Sequence, residues 1–160
     1  MTNIFVQFPN VKGSVSSENY AGWVGIDSLS FGGDWPILTS VGRVTDRNSS
    51  LPNFSEVTMY KRLDASTVPL FQLFCLHSVM KQVEIHVCNT NNTLNPYVKY
   101  RLYNVAIAKH QHMVSAGSLP SEELLLNYTK FELTYIGNSS AHVAGSPKTM
   151  GFDLETARVL

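Results

Sequence analysis

A mainly β fold, an antiparallel barrel or sandwich carrying one helix, is what this chain predicts. Three observations lead there. Apolar and polar side chains alternate in several short runs, clearest in Val83-Glu84-Ile85-His86-Val87 and in Phe131-Glu132-Leu133-Thr134-Tyr135; this is the period of a strand with one buried and one wet face. A single segment, residues 70–80, has helical character. The connections between the runs are long and turn-rich, without internal repeats and without a linker that would divide the 160 residues into two domains.

Taken in order, residues 4–8 form a first strand, stopped by Pro9, and residues 10–22 are polar and turn-rich. Residues 23–31 form a second strand, with Val24, Ile26 and Ser28 on one face and Trp23, Asp27 and Leu29 on the other. From Gly32 to Pro52 periodicity is lost over GGDWPILTSVGRVTDRNSSLP. A structureless loop of this length is uncommon in a compact domain and is usually functional. It also carries Trp35, Ile37, Leu38, Val41 and Val44, more apolar groups than a solvated loop holds. They either fold back on the domain's own core or meet another protein.

Residues 54–63 form a third strand. Asp64 and Ser66 are candidate N-caps and Pro69 suits a first helical turn. The helix that follows, LFQLFCLHSVM, is apolar nearly all round and should be buried on most sides. Residues 83–88 form a fourth strand, residues 89–96 an Asn-rich hairpin turn, and residues 97–109 a long, bent strand. Residues 111–120 are expected as a loop, 122–136 as the last major strand region and 152–159 as a short final strand. Alternation breaks at Thr129-Lys130, as at a bulge or a change of register.

Composition narrows the function. Charged residues make up 15% of the chain, and 12 basic residues balance 12 acidic ones. A nucleic-acid partner would call for a basic excess, so none is expected. A neutral, charge-poor surface favours self-association. No run approaches the ~18 apolar residues of a membrane-spanning helix, so no membrane insertion is expected. The N-terminus lacks the basic and apolar regions of a secretory signal, which implies synthesis in the cytoplasm and signal-independent export. Cys75 and Cys88 are expected as two buried free thiols.

Catalytic constellations are missing. There is no G-x-S-x-G elbow or Walker A pattern. Glu122 and Glu123 face opposite sides of a strand and cannot act as a pair. His110 and His112, at i and i+2, could chelate from one strand face. No third ligand is evident, since His77, His86 and His142 are scattered, and the two read as solvated loop histidines. No catalytic residue, metal or cofactor is expected.

Four stretches, in order along the chain, carry a resemblance. Lys12-Gly13 through Trp23 to Phe31-Gly32 matches a KGES-like turn and a WIEI-S-F-G strand. VTMYKRLDASTVPLFQLFC, residues 57–75, matches a strand, an Asp-containing turn and a Pro-Leu-Phe helix start. RLYNV at 101–105 and the PSEE-to-Tyr135 run match "LENV" and "PTEE…LNYEKIEWTY" segments, and the GFDL tail at 151–154 matches a G-W/Y-D-L ending. Together they resemble the Hcp family, the hemolysin-coregulated tube proteins of bacterial type VI secretion systems. The resemblance implies a compact antiparallel β-barrel built of two sheets with one flanking α-helix, forming homohexameric rings that stack into a tube. The partners it implies are other copies of the chain, the contractile sheath, the spike and effector proteins carried or chaperoned in the lumen. The implied location is the bacterial cytoplasm, followed by secretion without a cleavable signal.

It also implies a long loop reaching toward the neighbouring ring, which maps onto residues 33–52. Asp34, Trp35, Arg43, Asp46, Arg47 and Asn48 are the expected ring-stacking residues, with Trp35 as anchor. Departures from the family pattern are Ser14 and Ser17 for acidic residues, Tyr20 for His, Gly25 for Glu, and His77-Ser78-Val79-Met80-Lys81 for a glycine-containing turn. They mark a divergent branch. A phage-tail-tube-like protein, or a divergent paralogue acting as a secreted effector or effector-binding module, is the alternative.

Overall fold

The computed structural model describes residues 2–36, 51–90, 94–137 and 146–160. Strands dominate: β1 Thr2–Gln7, β2 Val24–Ile26, β3 Ser28–Ser30, β4 Gly33–Asp34, β5 Asn53–Phe54 and β6 Val57–Arg62 precede the helix α1 Thr67–Leu76. After it come β7 Met80–Asn89, β8 Asn95–Met113, β9 Ser121–Asn127, β10 Lys130–Tyr135, β11 Lys148–Asp153 and β12 Arg158–Val159. The mainly β, antiparallel class with one helix is as the sequence predicts.

One sheet runs β12-β11-β10-β8-β7-β1-β2, and a second runs β3-β6-β9-β8, every pairing being antiparallel. β8 belongs to both. Its first half pairs with β7 and β10; its second half pairs with β9. At the opposite corner the chain passes from β2 to β3 through Asp27, whose N–H donates to the Tyr60 carbonyl at 2.8 Å. The sheets wrap a shared core without closing into the continuous barrel that the resemblance implies. Val6, Val24, Met59, Leu70, Val83, Ile85, Leu102, Leu124, Leu126 and Phe131 meet in that core, each buried and drawn from both sheets and the helix.

Several expected boundaries shift for identifiable reasons. The helix ends at Leu76, not at residue 80, because His77 turns left-handed (φ 49°). The Ser78 N–H then donates to the Leu73 carbonyl and the His77 N–H to that of Phe74, both at 3.1 Å, the pairing of a Schellman C-cap with histidine where glycine usually sits. Ser66 occupies the N-cap position without a side-chain capping bond. Asp64 takes the role beside it, accepting the Ser66 N–H at 2.9 Å. The break at Thr129-Lys130 is where the chain leaves one sheet for the other, between β9 and β10.

The expected burial of the helix is overturned. Only Thr67 and Leu70 are buried on it, while Val68 is 75% exposed and Leu76 67%. Cys75 is exposed with them, and only Cys88 is the buried thiol expected; both are free. α1 lies along one wall of the fold instead of in its middle.

The turn-rich segment after β1 folds over the outer face of the first sheet. Tyr20 stacks on Phe5 with ring centroids 4.5 Å apart, and its hydroxyl lies 3.1 Å from His86 Nδ1 and 3.2 Å from Cys88 Sγ. Burial, reinforced by the Cys88 contact, pushes the Tyr20 hydroxyl far above its ordinary pKa. Gly13 is needed for this cover. A Cβ there would meet the Trp23 carbonyl oxygen at 2.2 Å.

Candidate functional site

The two features of interest are the β4–β5 ribbon, which flanks residues 37–50, and a buried charge cluster beneath α1. In the two-stranded ribbon, Gly33 pairs with Phe54 and Asp34 with Asn53. The backbones approach so closely that a Cβ on Gly33 would lie 2.6 Å from the Asn53 carbonyl oxygen. Ser55 fastens the ribbon by donating its N–H and its hydroxyl to the Gly32 carbonyl, at 2.9 and 2.8 Å. Tyr128, whose hydroxyl burial pushes up to about 12, donates to the Ser55 carbonyl at 2.9 Å. Phe54 packs against Phe131 and Phe152, with centroids 5.1 and 4.9 Å away. Within the ribbon Asp34 is exposed, and the next residue, Trp35, is 51% exposed, so Trp35 is not a core residue. Arg43, Asp46, Arg47 and Asn48 lie outside the described residues.

The buried cluster arises from charges placed on inward strand positions. Along β6 the inward residues are Val57, Met59 and Lys61; along β9 they are Glu122, Leu124 and Leu126. The register sets Val57 opposite Leu126, Met59 opposite Leu124 and Lys61 opposite Glu122. Lys61 and Glu122 are each 0% exposed. The Lys61 ammonium has three donors, and it finds three acceptors: the Glu122 carboxylate, Asp64 Oδ1 at 2.9 Å and the Arg62 carbonyl at 3.2 Å. Thr67, from the first turn of α1, donates to Glu122 Oε1 at 3.2 Å.

The other carboxylate oxygen faces the histidines. His110 Nε2 is 2.7 Å and His112 Nε2 3.4 Å from Glu122 Oε2, and the two ring nitrogens are 3.2 Å apart. Both histidines therefore belong to β8 and not to a solvated loop, and His110 is buried. A bulge aims them. The β8–β9 register shifts between Ile107 and Lys109, so Ala108 is the extra residue, and His110 and His112 come to oppose Leu124 and Glu122. Burial raises the Glu122 carboxyl, but the His110 and Lys61 hydrogen bonds outweigh it and hold the group below its ordinary value. The Phe71 ring of α1 sits over both imidazoles, 5.2 and 5.4 Å away between centroids. His112, with 35% of its side chain exposed, is the cluster's opening to solvent.

The third ligand type that the sequence lacked beside His110 and His112 is thus Glu122. Among the described residues these three alone gather potential metal-ligand atoms, within 4.8 Å of one another. Glu122 and Glu123 do face opposite ways, Glu123 pairing outward with Lys109 at 3.1 Å. The usable signal was a charge in the apolar phase of a strand, Lys61 after Val57 and Met59, Glu122 before Leu124 and Leu126.

The family profile described as "Type VI secretion system effector, Hcp" matches residues 5–135. No curated protein sequence matches the chain. Among solved structures, a type six secretion system protein superposes with TM-score 0.93 at 16% identity, covering 100% of both chains. Hcp1 from Salmonella typhimurium gives 0.82 at 14%, covering 99% of each. A type VI secretion system effector from Yersinia pestis gives 0.75 at 14%, covering 94% of this chain and 98% of its own. With the profile spanning most of the chain and the fold shared end to end, the protein belongs to the Hcp family of type VI secretion system effectors.

Proposed function

We propose that the chain is a tube subunit: six copies close into a ring, rings stack through the 33–52 loop, and the stacked tube is driven out by a contractile sheath, with effectors carried in its lumen. Family membership supports this reading, and the observation that carries it is the apolar surface a lone subunit leaves in water. Val68, Phe71, Leu76 and Val79 are exposed on and just after α1, and Met113, Val114 and Leu119 are exposed at the adjoining β8–β9 turn. An apolar patch of this kind on a neutral, charge-poor chain marks an interface, and a head-to-tail contact that closes on itself makes a ring. Asp34, Trp35, Arg43, Asp46, Arg47 and Asn48 are assigned to stacking, with half-exposed Trp35 as the anchor. The work is mechanical and rests on interfaces.

Light scattering coupled to size-exclusion chromatography tests the ring. A mass near six times 17.8 kDa is expected. A monomer at every concentration would overturn the ring and favour a secreted paralogue. Trp35→Ala is expected to keep the ring and the circular dichroism spectrum while weakening tube formation, seen as shorter or absent filaments by electron microscopy.

A further inference from the structure

We infer that His110, His112 and Glu122 form a tridentate site for a divalent transition-metal ion of the zinc class. Three observations carry this beyond the tube reading, on which it does not depend.

The first is spacing. Zinc binds imidazole nitrogen and carboxylate oxygen at about 2.0–2.2 Å, and tetrahedral angles then set neighbouring ligand atoms ~3.3 Å apart. The three atoms here stand 2.7, 3.2 and 3.4 Å apart. An ion fits at their common centre with movements of a few tenths of an ångström.

The second is hydrogen-bond accounting. A neutral imidazole carries one N–H, and an ionised carboxylate only accepts. If one Nε2 is protonated, the other directs a lone pair at Glu122 Oε2. If both are, two N–H groups confront each other across 3.2 Å. Every proton arrangement leaves one of the three contacts unmatched, whereas a metal ion uses one lone pair from each atom.

The third is preorganisation. Lys61 and Thr67 hold the far oxygen of Glu122, and such support of a ligating carboxylate is what fixes it for an ion. The strand bulge at Ala108 brings His110 and His112 opposite Leu124 and Glu122, and the partly exposed His112 opens the cluster to solvent. Nδ1 of His110 has no hydrogen-bond partner. A ligating histidine normally donates that N–H, and its absence costs about 10–100-fold in affinity, so the site binds reversibly and not as a permanent structural zinc.

The test is Co²⁺ titration of the full, purified, metal-free chain, read by visible d–d absorption and by isothermal titration calorimetry. One equivalent bound with a tetrahedral spectrum is expected. His112→Ala, at the exposed edge of the cluster, should keep the circular dichroism spectrum and weaken binding at least ~100-fold, more than loss of an outer-shell partner would. His86→Gln, whose side chain belongs to the other sheet, should bind as the parent does. No Co²⁺ uptake by the parent chain at millimolar metal, or equal uptake by His112→Ala, would overturn the proposal.

Discussion

The two halves of β8 each anchor a network of charges, and they do so in opposite ways. In the first half Arg101 reaches Glu84 at 2.6 Å and Glu132 at 3.7 Å on the outer face of the sheet, its side chain 45% exposed. In the second half His110 and His112 join Glu122, Lys61 and Asp64, where Lys61 and Glu122 have no exposure at all. The outer network can exchange each protein contact for water at little cost, and such surface pairs contribute about 0–1 kcal/mol. The inner one cannot. Lys61 and Glu122 sit in the core away from solvent, so each needs the other and the groups around it, and all three Lys61 donors are taken. The contrast teaches that an ion pair's worth is set by what replaces it when it breaks.

The largest expected effect breaks the inner network. Lys61→Met leaves Glu122 buried without its cation, and loss of one partner of a buried pair costs about 3–5 kcal/mol; urea unfolding of the two chains measures it. A loss below ~1 kcal/mol would place the cluster with the surface networks. Intermediate in setting is His86, whose Nε2 is 3.6 Å from Glu84 and whose Nδ1 is 3.1 Å from Tyr20 Oη. Burial, then the Lys99 charge, then Arg101 lower its pKa below the ordinary 6.5, with Glu84 opposing. The unfolded chain therefore binds this proton first. Stability from His86 is complete above pH ~6.5 and is lost as pH falls below it, with a slope no steeper than about 1.4 kcal/mol per pH unit. Unfolding free energies between pH 7.5 and 5 should show the slope, and His86→Gln should reduce it. The smallest effect is Arg101→Ala, expected to cost under ~1 kcal/mol and to matter less as salt rises. A larger, salt-insensitive loss would erase the distinction between the halves.

Sequence periodicity made most of the fold legible. Val83 to Val87 alternate because one face of β7 is buried, whereas along Phe131 to Tyr135 only Phe131 is buried and Tyr135 is half exposed; the long loop expected after Phe31 falls mostly outside the described residues. What stayed hidden depends on contacts distant in sequence. The helix looked buried because its residues are apolar, yet Val68 and Leu76 face water: composition reports affinity for an apolar partner without saying whether that partner lies in the same chain. His110 and His112 looked like loop residues since nothing local announces that β8 runs on to Met113 or that Ala108 inserts a bulge. Lys61 and Glu122 lie far apart in sequence, and only the β6–β9 register joins them. The β4–β5 ribbon was invisible too, since Gly33 pairs with Phe54 and Asp34 with Asn53 across a segment with no period of its own.

The sharing of β8 between the two sheets has a mechanical meaning. Two sheets held only by apolar contact could creep past one another under load, because such contact has no preferred register along the sliding direction. Here any relative slide must stretch or bend a single covalent backbone of 19 residues and tear ladders with β7, β10 and β9 at once. The β8-centred frame therefore resists shear as a stiff block, with load passed along one backbone from the first sheet to the second.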